Sequence, residues 1–286
     1  MLVYTRHRQY WHMRMTQLAS TLALCLCVLF SLLAAACGSR TEPTAPAPPP
    51  LTFELRTFEK SEPGCGDHGH RDEACVSFRA NWPELHGGGG DAASKFNSAL
   101  LTALGFPGGA AELEPYAAGL IERWRVEHKG VIYADSTWFE RRSIQLLARR
   151  PEVWCFRVDR LGQTGKELPF DQRAYLNLDP RTGSAVTLDS LLEKDAAPRL
   201  SSLAERRLRE TLSLSESSPL PLKDGSFAMP QQFALTQSGL VLLWSGDALA
   251  DPGSPRLEMT LPWSLVRDLV RKSAVNPPGP ATETGF

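Results

Sequence analysis

Tyr175–Leu192, YLNLDPRTGSAVTLDSLL, reads as a strand, a tight turn, a short return strand and the start of a helix. Tyr175, Leu176 and Leu178 suit a half-buried strand. Asp179 to Gly183 supplies turn chemistry, because Pro180 pre-sets φ and Gly183 accepts a positive φ. Val186 and Leu188 resume the apolar pattern. Thr187 or Asp189 is placed to cap a helix beginning near Ser190.

Working outward, Leu51–Phe58 and Ala74–Trp82 alternate apolar and polar residues and read as strands, with Pro83 ending the second. His86–Asp91, HGGGGD, is a flexible connection. Asp91 is placed to cap a helix carrying Phe96, Leu100, Ala103 and Leu104 on one face, with Gly105 as its stop. A second helix is expected over about Ala111–Lys129, with Leu113, Tyr116, Leu120 and Trp124 in a stripe and Gly130 closing it. Both stripes call for a sheet to pack on. Strands follow at Trp138–Ala148 and Glu152–Leu161, then a loop at Gly162–Pro169. Beyond the opening stretch come a helix over about Pro198–Ser213 and strands at Phe227–Leu235, Leu240–Ser245 and Arg256–Leu261. Ser238-Gly239 forms a hairpin between the first two of these strands. A short helix at Trp263–Lys272 closes the fold. Strands and paired helices lack a regular βαβ rhythm, so the expected class is α+β, with antiparallel sheets, packed helices and two adjoining subdomains.

Asn177-Leu178-Asp179-Pro180-Arg181-Thr182-Gly183, followed by Val186-Thr187-Leu188-Asp189-Ser190-Leu191-Leu192, resembles the Asn-x-Asp-x-x-Thr-Gly … Leu-x-Asp-Leu signature of a bacterial domain of unknown function. That domain forms the C-terminus of the RsiV-type anti-sigma factors, which include a lysozyme receptor. Phe233–Leu240 and Leu261-Pro262-Trp263 match its closing strands. Residues 51–168 are similar to the module that usually precedes it, also found before the catalytic domain of PdaC-type peptidoglycan deacetylases. Cys65, Cys75, Ala80-Asn81-Trp82-Pro83 and Phe96-Asn97 carry that likeness. The resemblance implies an N-terminal module over 51–168 and an RsiV-like domain over 169–275; the terminal residues 276–286 are expected to be a loose tail. Relatives often carry Thr-Gly-Gly-Ala-His-Pro before the Asn-x-Asp strand. Here Thr164-Gly165-Lys166-Glu167-Leu168-Pro169 stands in its place, without the histidine.

The N-terminus carries an address. Arg6, Arg8 and Arg14 precede an uncharged run from Leu18 to Ala36, long enough to span a bilayer. Ala34-Ala35-Ala36 before Cys37 resembles a lipoprotein processing site. On that reading residues 1–36 are a signal peptide and Cys37 is the lipidated mature N-terminus; the alternative is an uncleaved membrane anchor. Residues 37–50 are a proline-rich tether. Gly38-Ser39 lacks the aspartate that by analogy retains lipoproteins at the inner membrane. The expected place is therefore the bacterial envelope, on the periplasmic side of the outer membrane where there is one. Losing three arginines of 31 basic residues leaves 32 acidic ones in excess by about four. That balance argues against nucleic acid as a partner and against adhesion to anionic lipid by charge.

Outside the cytoplasm Cys65 and Cys75 form the natural disulfide pair, and Cys155, in an apolar strand, reads as a buried thiol. A bridge from Cys155 to either remains open at this stage. The loop between Cys65 and Cys75 holds Asp67, His68, His70, Asp72 and Glu73, types that bind Zn²⁺ or Cu²⁺. A solvated loop is the simpler account, so no metal or cofactor is assigned. No Gly-x-Ser-x-Gly elbow or P-loop occurs. Asp179 and Asp189 fit backbone capping better than paired acid–base work. Trp138, Trp154, Trp244 and Trp263 fit packing better than a sugar-binding face. His86 and His128 have no catalytic company. No catalytic residue is expected; a non-catalytic binding or sensing module for a protein or peptidoglycan ligand is. A cell-wall-modifying enzyme and a metal-binding envelope protein are the alternatives. Metabolic labelling with an alkyne fatty acid should mark the wild-type chain and leave Cys37→Ser unmarked and unprocessed; a labelled variant would place the lipid elsewhere.

Overall fold

The computed structural model describes residues 50–63, 65, 75–129, 137–165, 169–251, 253–254 and 256–275. The expected signal segment, Cys37, nearly all of the tether, the ligand-type side chains between Cys65 and Cys75, Gly130, residues 166–168 and the 276–286 tail lie outside them.

The α+β class is observed. Thr52–Ser61 (β1), Val76–His86 (β2), Trp138–Arg149 (β3), Trp154–Gln163 (β4) and Phe170–Leu178 (β5) form one sheet in that order. Its neighbours are antiparallel except β2 and β3, which run parallel over Val76–Asn81 and Trp138–Ser143. A parallel pair needs a long crossover, and the segment between them carries Ala92–Ala103 (α1) and Leu113–Glu127 (α2). Gln232–Leu235 (β6), Gly239–Trp244 (β7) and Leu257–Pro262 (β8) make a second, antiparallel sheet. The expected division at 168/169 runs between β4 and β5, which are hydrogen-bonded neighbours.

Several elements differ from expectation for identifiable reasons. Pro83 does not end β2, which continues to His86. Beyond Asn81 β2 has lost its β3 partner, and Pro83 sits where its missing N–H would face that vacated side. At Leu85 the Asn97 side chain replaces the lost strand. Its Oδ1 accepts the Leu85 N–H at 2.8 Å and its Nδ2 donates to the Leu85 carbonyl at 3.0 Å. Asp91 makes no capping hydrogen bond; its carboxylate pairs with Lys95 at 3.0 Å. Gly105 does stop α1, at φ +90, and Phe106 N–H reaches back to the Leu101 carbonyl at 2.8 Å.

In the opening stretch β5 runs to Leu178 and the turn closes as expected. Gly183 (φ +69) donates to the Asp179 carbonyl at 2.8 Å. A Cβ on Gly183 would lie 3.0 Å from the Phe96 nitrogen, so glycine is also needed for close approach to α1. The return strand shrinks to one bridge between Leu178 and Ala185. The helix is a single turn, Leu188–Leu191 (α3), with Thr187 at its cap position but making no side-chain bond. The next helix is Ala197–Thr211 (α4). The expected strand at Phe227 enters the ladder only at Gln232, after Pro230. The closing helix breaks into Trp263–Val266 (α5) and Lys272–Val275 (α6), because Val270 bridges to Leu192 between them.

Two cores result. Phe78, Phe96, Phe106, Leu120 and Phe156 fill one, between the large sheet and α1 and α2. Leu200, Phe233, Leu242, Trp244 and Leu261 fill the other, around the small sheet. Strand alternation joins them: Trp154, Phe156 and Val158 face the first core, whereas Val153 and Cys155 belong to the second. A register shift between Leu146 and Ala148 breaks the alternation of β3, and Leu147 and Ala148 both pack on the second core.

The outer edge of β6 meets this sheet through side chains. Leu235 N–H approaches the Cys155 sulfur at 3.4 Å, the Phe233 carbonyl accepts from Asn177 Nδ2 at 2.7 Å, and Gln232 Oε1 accepts the Tyr175 N–H at 2.7 Å. Arg150 adds bonds to the Thr236 carbonyl (3.3 Å) and the Val275 carbonyl (3.1 Å). Asn177→Ala orphans a buried carbonyl and should lower stability by about 1–3 kcal/mol in thermal or denaturant unfolding; an unchanged midpoint would remove Asn177 from the structural frame.

Candidate functional site

The structure scatters the ligand-type residues singled out in the sequence. Cys65 and Cys75 are joined in a disulfide at the loop end of the β1–β2 hairpin, and Cys155 is a free buried thiol. Burial pushes that thiol up to about 12, so it is inert at neutral pH. Asp179 serves its turn. It accepts the Arg181 N–H at 2.8 Å and both sides of the Arg181 guanidinium at 3.0 and 3.1 Å, which hold its carboxyl below the usual range against a smaller effect of burial. Asp189 sits in the first turn of α3, at an open depression of about 700 Å³ that also meets Glu193, Lys194, Asp195 and Arg271. Trp138, Trp154 and Trp244 are buried, and Trp263 donates its indole N–H to the Thr236 carbonyl at 3.1 Å. They are packing residues. His128 stacks on Trp124 and bonds its carbonyl; His86 stands exposed near Glu54 and Glu84. Among the described residues no group of three metal-type side chains converges.

Two polar arrangements were not legible as sites. The first is buried. Glu140 is 1 % exposed and accepts from the Tyr116 hydroxyl at 2.6 Å and from Arg142 and Arg160 at 2.7 Å each. Arg142 also donates to the Leu104 carbonyl and lies over the rings of Phe106 and Tyr116 at 4.7 and 4.4 Å. Burial raises the Glu140 carboxyl, but the Tyr116 hydroxyl and the two guanidiniums outweigh it and leave it below its ordinary value. Burial, with help from Glu140, raises the Tyr116 phenol. The acidic oxygens are fully engaged by donors, so this cluster positions α2 on β3. Its sequence signal is the period-two run Trp138-x-Glu140-x-Arg142-x-Ile144, charges placed on an otherwise apolar stripe.

The second arrangement is open. Because Val76, Phe78, Ala80 and Trp82 face the helices, Ser77, Arg79 and Asn81 of β2 face the other way, as do Phe139, Arg141 and Ser143 of β3. Over β4 and β5 the small sheet covers this opposite face. Arg173 bridges Asp159 (2.8 Å) and Glu258 (3.2 Å), and Arg256 pairs with Asp171 at 2.8 Å. Burial and Glu258 push the Tyr175 phenol up to about 12. Over β1 to β3 the face stays accessible. One row across it is Glu59, Arg79, Arg141 and Leu161; the next is Thr57, Asn81, Ser143 and Asp159. Arg79 and Arg141 are thus like-charged neighbours, an unfavourable pairing. Arg79 has only Glu59 at 4.0 Å, and Arg141 has no ion pair among the described residues, lying over the Phe139 ring at 5.7 Å. Beside them Asn81 Oδ1 is buried without a hydrogen-bond partner. Parallel strands are ordinarily covered on both faces, so two crowded cations and an unmet acceptor on a bare parallel pair single out this surface.

Comparison with solved structures bears on the fold. A protein from Bacteroides fragilis matches with a TM-score of 0.58 and 13% identity over 79% of this chain and 95% of its own. A protein from Pseudomonas aeruginosa PAO1 matches with a TM-score of 0.50 and 15% identity over 79% and 97%. Both are DUF3298 family proteins. The fold is theirs. At such identity the DUF3298 likeness speaks for architecture alone. No family model matches the sequence, and no curated protein matches it. No helix among the described residues is long and apolar enough to cross a membrane.

The ordinary Glu carboxyl titrates near pH 4.3, and Glu140 lies below its usual value in the fold. Its contribution is therefore present above that pH and is lost as pH falls through the folded value. Glu140→Gln strands the buried Arg142 and should cost about 3–5 kcal/mol at pH 7, with a flatter loss of stability on acidification. Equal acid slopes in the two proteins would exclude Glu140 as the titrating group.

Proposed function

We propose that this chain is a lipid-anchored envelope protein that acts by binding, and that its ligand-contacting surface is the uncovered face of β1 to β3. The observation that carries the reading is the adjacent pair Arg79–Arg141, with one ion pair among the described residues between them, from Glu59 to Arg79 at 4.0 Å, beside the unpaired side-chain oxygen of Asn81. A monomer gains nothing from crowding two cations on a bare sheet, whereas a carboxylate-bearing ligand turns that repulsion into attraction. Phe139, half-exposed under Arg141, adds an apolar contact next to the charge. Peptidoglycan stems and acidic protein surfaces both present carboxylates in this way. The lipidated Cys37 and the proline-rich tether hold such a face within reach of the cell wall. The RsiV-type resemblance supports the same class of role, since that group includes a receptor for a protein ligand.

Purified protein should be retained on insoluble peptidoglycan or on an immobilised lysozyme-type enzyme. Arg141→Glu should reduce retention about tenfold or more while leaving unfolding unchanged, because Arg141 is exposed and makes no ion pair among the described residues. Recovery at background on both supports, or undiminished retention of the variant, would defeat the assignment.

A further inference from the structure

Among the described residues β1 is the outer strand of the large sheet and pairs only with β2. Glu62 N–H donates to the Val76 carbonyl at 3.1 Å, continuing the β1–β2 register by one pair and fixing its phase. Even-numbered residues of β1 therefore turn their N–H and C=O groups toward β2. Phe53, Leu55, Thr57, Glu59 and Ser61 turn theirs away. None of these five outward positions has a backbone partner among the described residues. The strand is also accessible from its faces: Leu55 is 55 % exposed, and Glu54, Arg56, Thr57 and Glu59 are exposed as well.

Natural proteins guard such an edge with charge, and β1 carries Glu54, Arg56, Glu59 and Lys60. Their order is self-complementary. When the strand is laid antiparallel against itself about Thr57, position 54 meets 60, position 56 meets 58, position 55 meets 59 and position 53 meets 61. Each Glu54 then faces a lysine and each Arg56 faces a phenylalanine ring, both favourable cross-strand pairs. Sliding by one hydrogen-bonded pair in either direction sets Arg56 against Arg56 or against Lys60. The Thr57-centred register also has odd residues facing odd residues, so every outward N–H meets an outward carbonyl. The tether and the C-terminal segment are poor occupants of the same edge, because SRTEPTAPAPPP and NPPGP lack the N–H groups a ladder needs.

We propose that two copies of this chain associate through β1, antiparallel and centred on Thr57, joining their five-stranded sheets edge to edge. Glu54 of each copy pairs with the partner's Lys60, and Arg56 lies on the partner's Phe58. Lys60 and Arg56 already contact Glu114 and Glu84 within their own copy. Those partners are partly exposed and remain available for sharing. The symmetry axis of such a pair is perpendicular to the sheet, so both uncovered faces look the same way. The proposal rests on the edge of β1 and stands whether or not that face binds a ligand.

The test uses the full chain in a bacterial envelope. Thr57→Cys should be captured as a dimer by a short bis-maleimide, whereas Leu161→Cys, far from the edge, should stay monomeric. In the Thr57→Cys background, Glu54→Lys or Lys60→Glu should each lower the cross-linked fraction several-fold, and the two together should restore it. Sedimentation equilibrium of the purified full chain should show a concentration-dependent dimer that Thr57→Pro abolishes. That proline removes an outward N–H and no β1–β2 bond, so unchanged circular dichroism accompanies the loss. Monomer at every concentration, or a dimer indifferent to Thr57→Pro, overturns the proposal. A dimer lost with the proline but not rescued by the double charge reversal overturns the Thr57-centred register.

Discussion

A strand edge that meets side chains instead of another strand is the constraint on which this molecule depends. β6 is too short to bury its outer edge by extending the ladder, and its Leu235 N–H and Phe233 carbonyl point at the large sheet. Cys155 and Asn177, cross-strand neighbours on β4 and β5, supply the sulfur and the amide that meet them. Without that seam the second core would lose one wall, since Cys155 and Tyr175 belong to it although they sit on the first sheet. Asn97 does the same service for β2 at Leu85, where the β3 partner has ended. Two asparagines thus let a mixed sheet stop, turn and receive a second layer without leaving those backbone groups unpaired.

Charge is distributed by the same logic. Where it lies under helices it is saturated: Glu140 takes three donors, and Arg142 divides its guanidinium between that carboxylate, a carbonyl and two aromatic faces. Where the small sheet descends, Arg173, Asp159 and Glu258 interlock across the gap. Over β1 to β3 the pattern does not close at Arg79, Arg141 and Asn81 Oδ1, as it also does not at the buried Arg150 Nε and Asn177 Oδ1 of the seam. What sets the first group apart is that two like charges stand side by side on an accessible face.

Much of the fold was legible because its signals are local. Gly105 and Gly183 sit where positive φ is needed, and Asp179 to Gly183 turns as its composition demands. The apolar stripes find Phe96, Leu100 and Leu104 of the α1 segment and Leu113 and Leu120 of α2, but take in the exposed Ala103 and miss the buried Leu101, Ala117 and Ile121. What sequence reading misplaced depends on partners far along the chain. Pro83 reads as a strand end unless one knows that β3 has already departed. The parallel β2–β3 pair is set by the length of a crossover, and the closing helix is broken by a bridge from Val270 to Leu192, 78 residues upstream. The surface of Arg79 and Arg141 was invisible for a related reason. Each is an unremarkable strand arginine until the register sets one beside the other. The cysteine pair was readable because Cys65 and Cys75 stand only ten residues apart between two alternating strands, whereas the histidines inside that loop lie beyond the described residues.

The position of the Cys65–Cys75 bridge bears on how the body resists being pulled. Any load arriving from residue 51 enters β1 at its first residue and runs along the strand axis. It therefore stresses the β1–β2 ladder in shear, with many hydrogen bonds sharing the force at once, instead of unzipping them one by one. Should those bonds yield, β1 can slide no farther than Cys65, because the covalent link passes the tension directly to Cys75, the residue before β2. From there it reaches β3 through the parallel pairing and the buried Glu140 cluster behind it. The disulfide sits at the end of the hairpin remote from the entry point, which is where a mechanical stop protects the most chain.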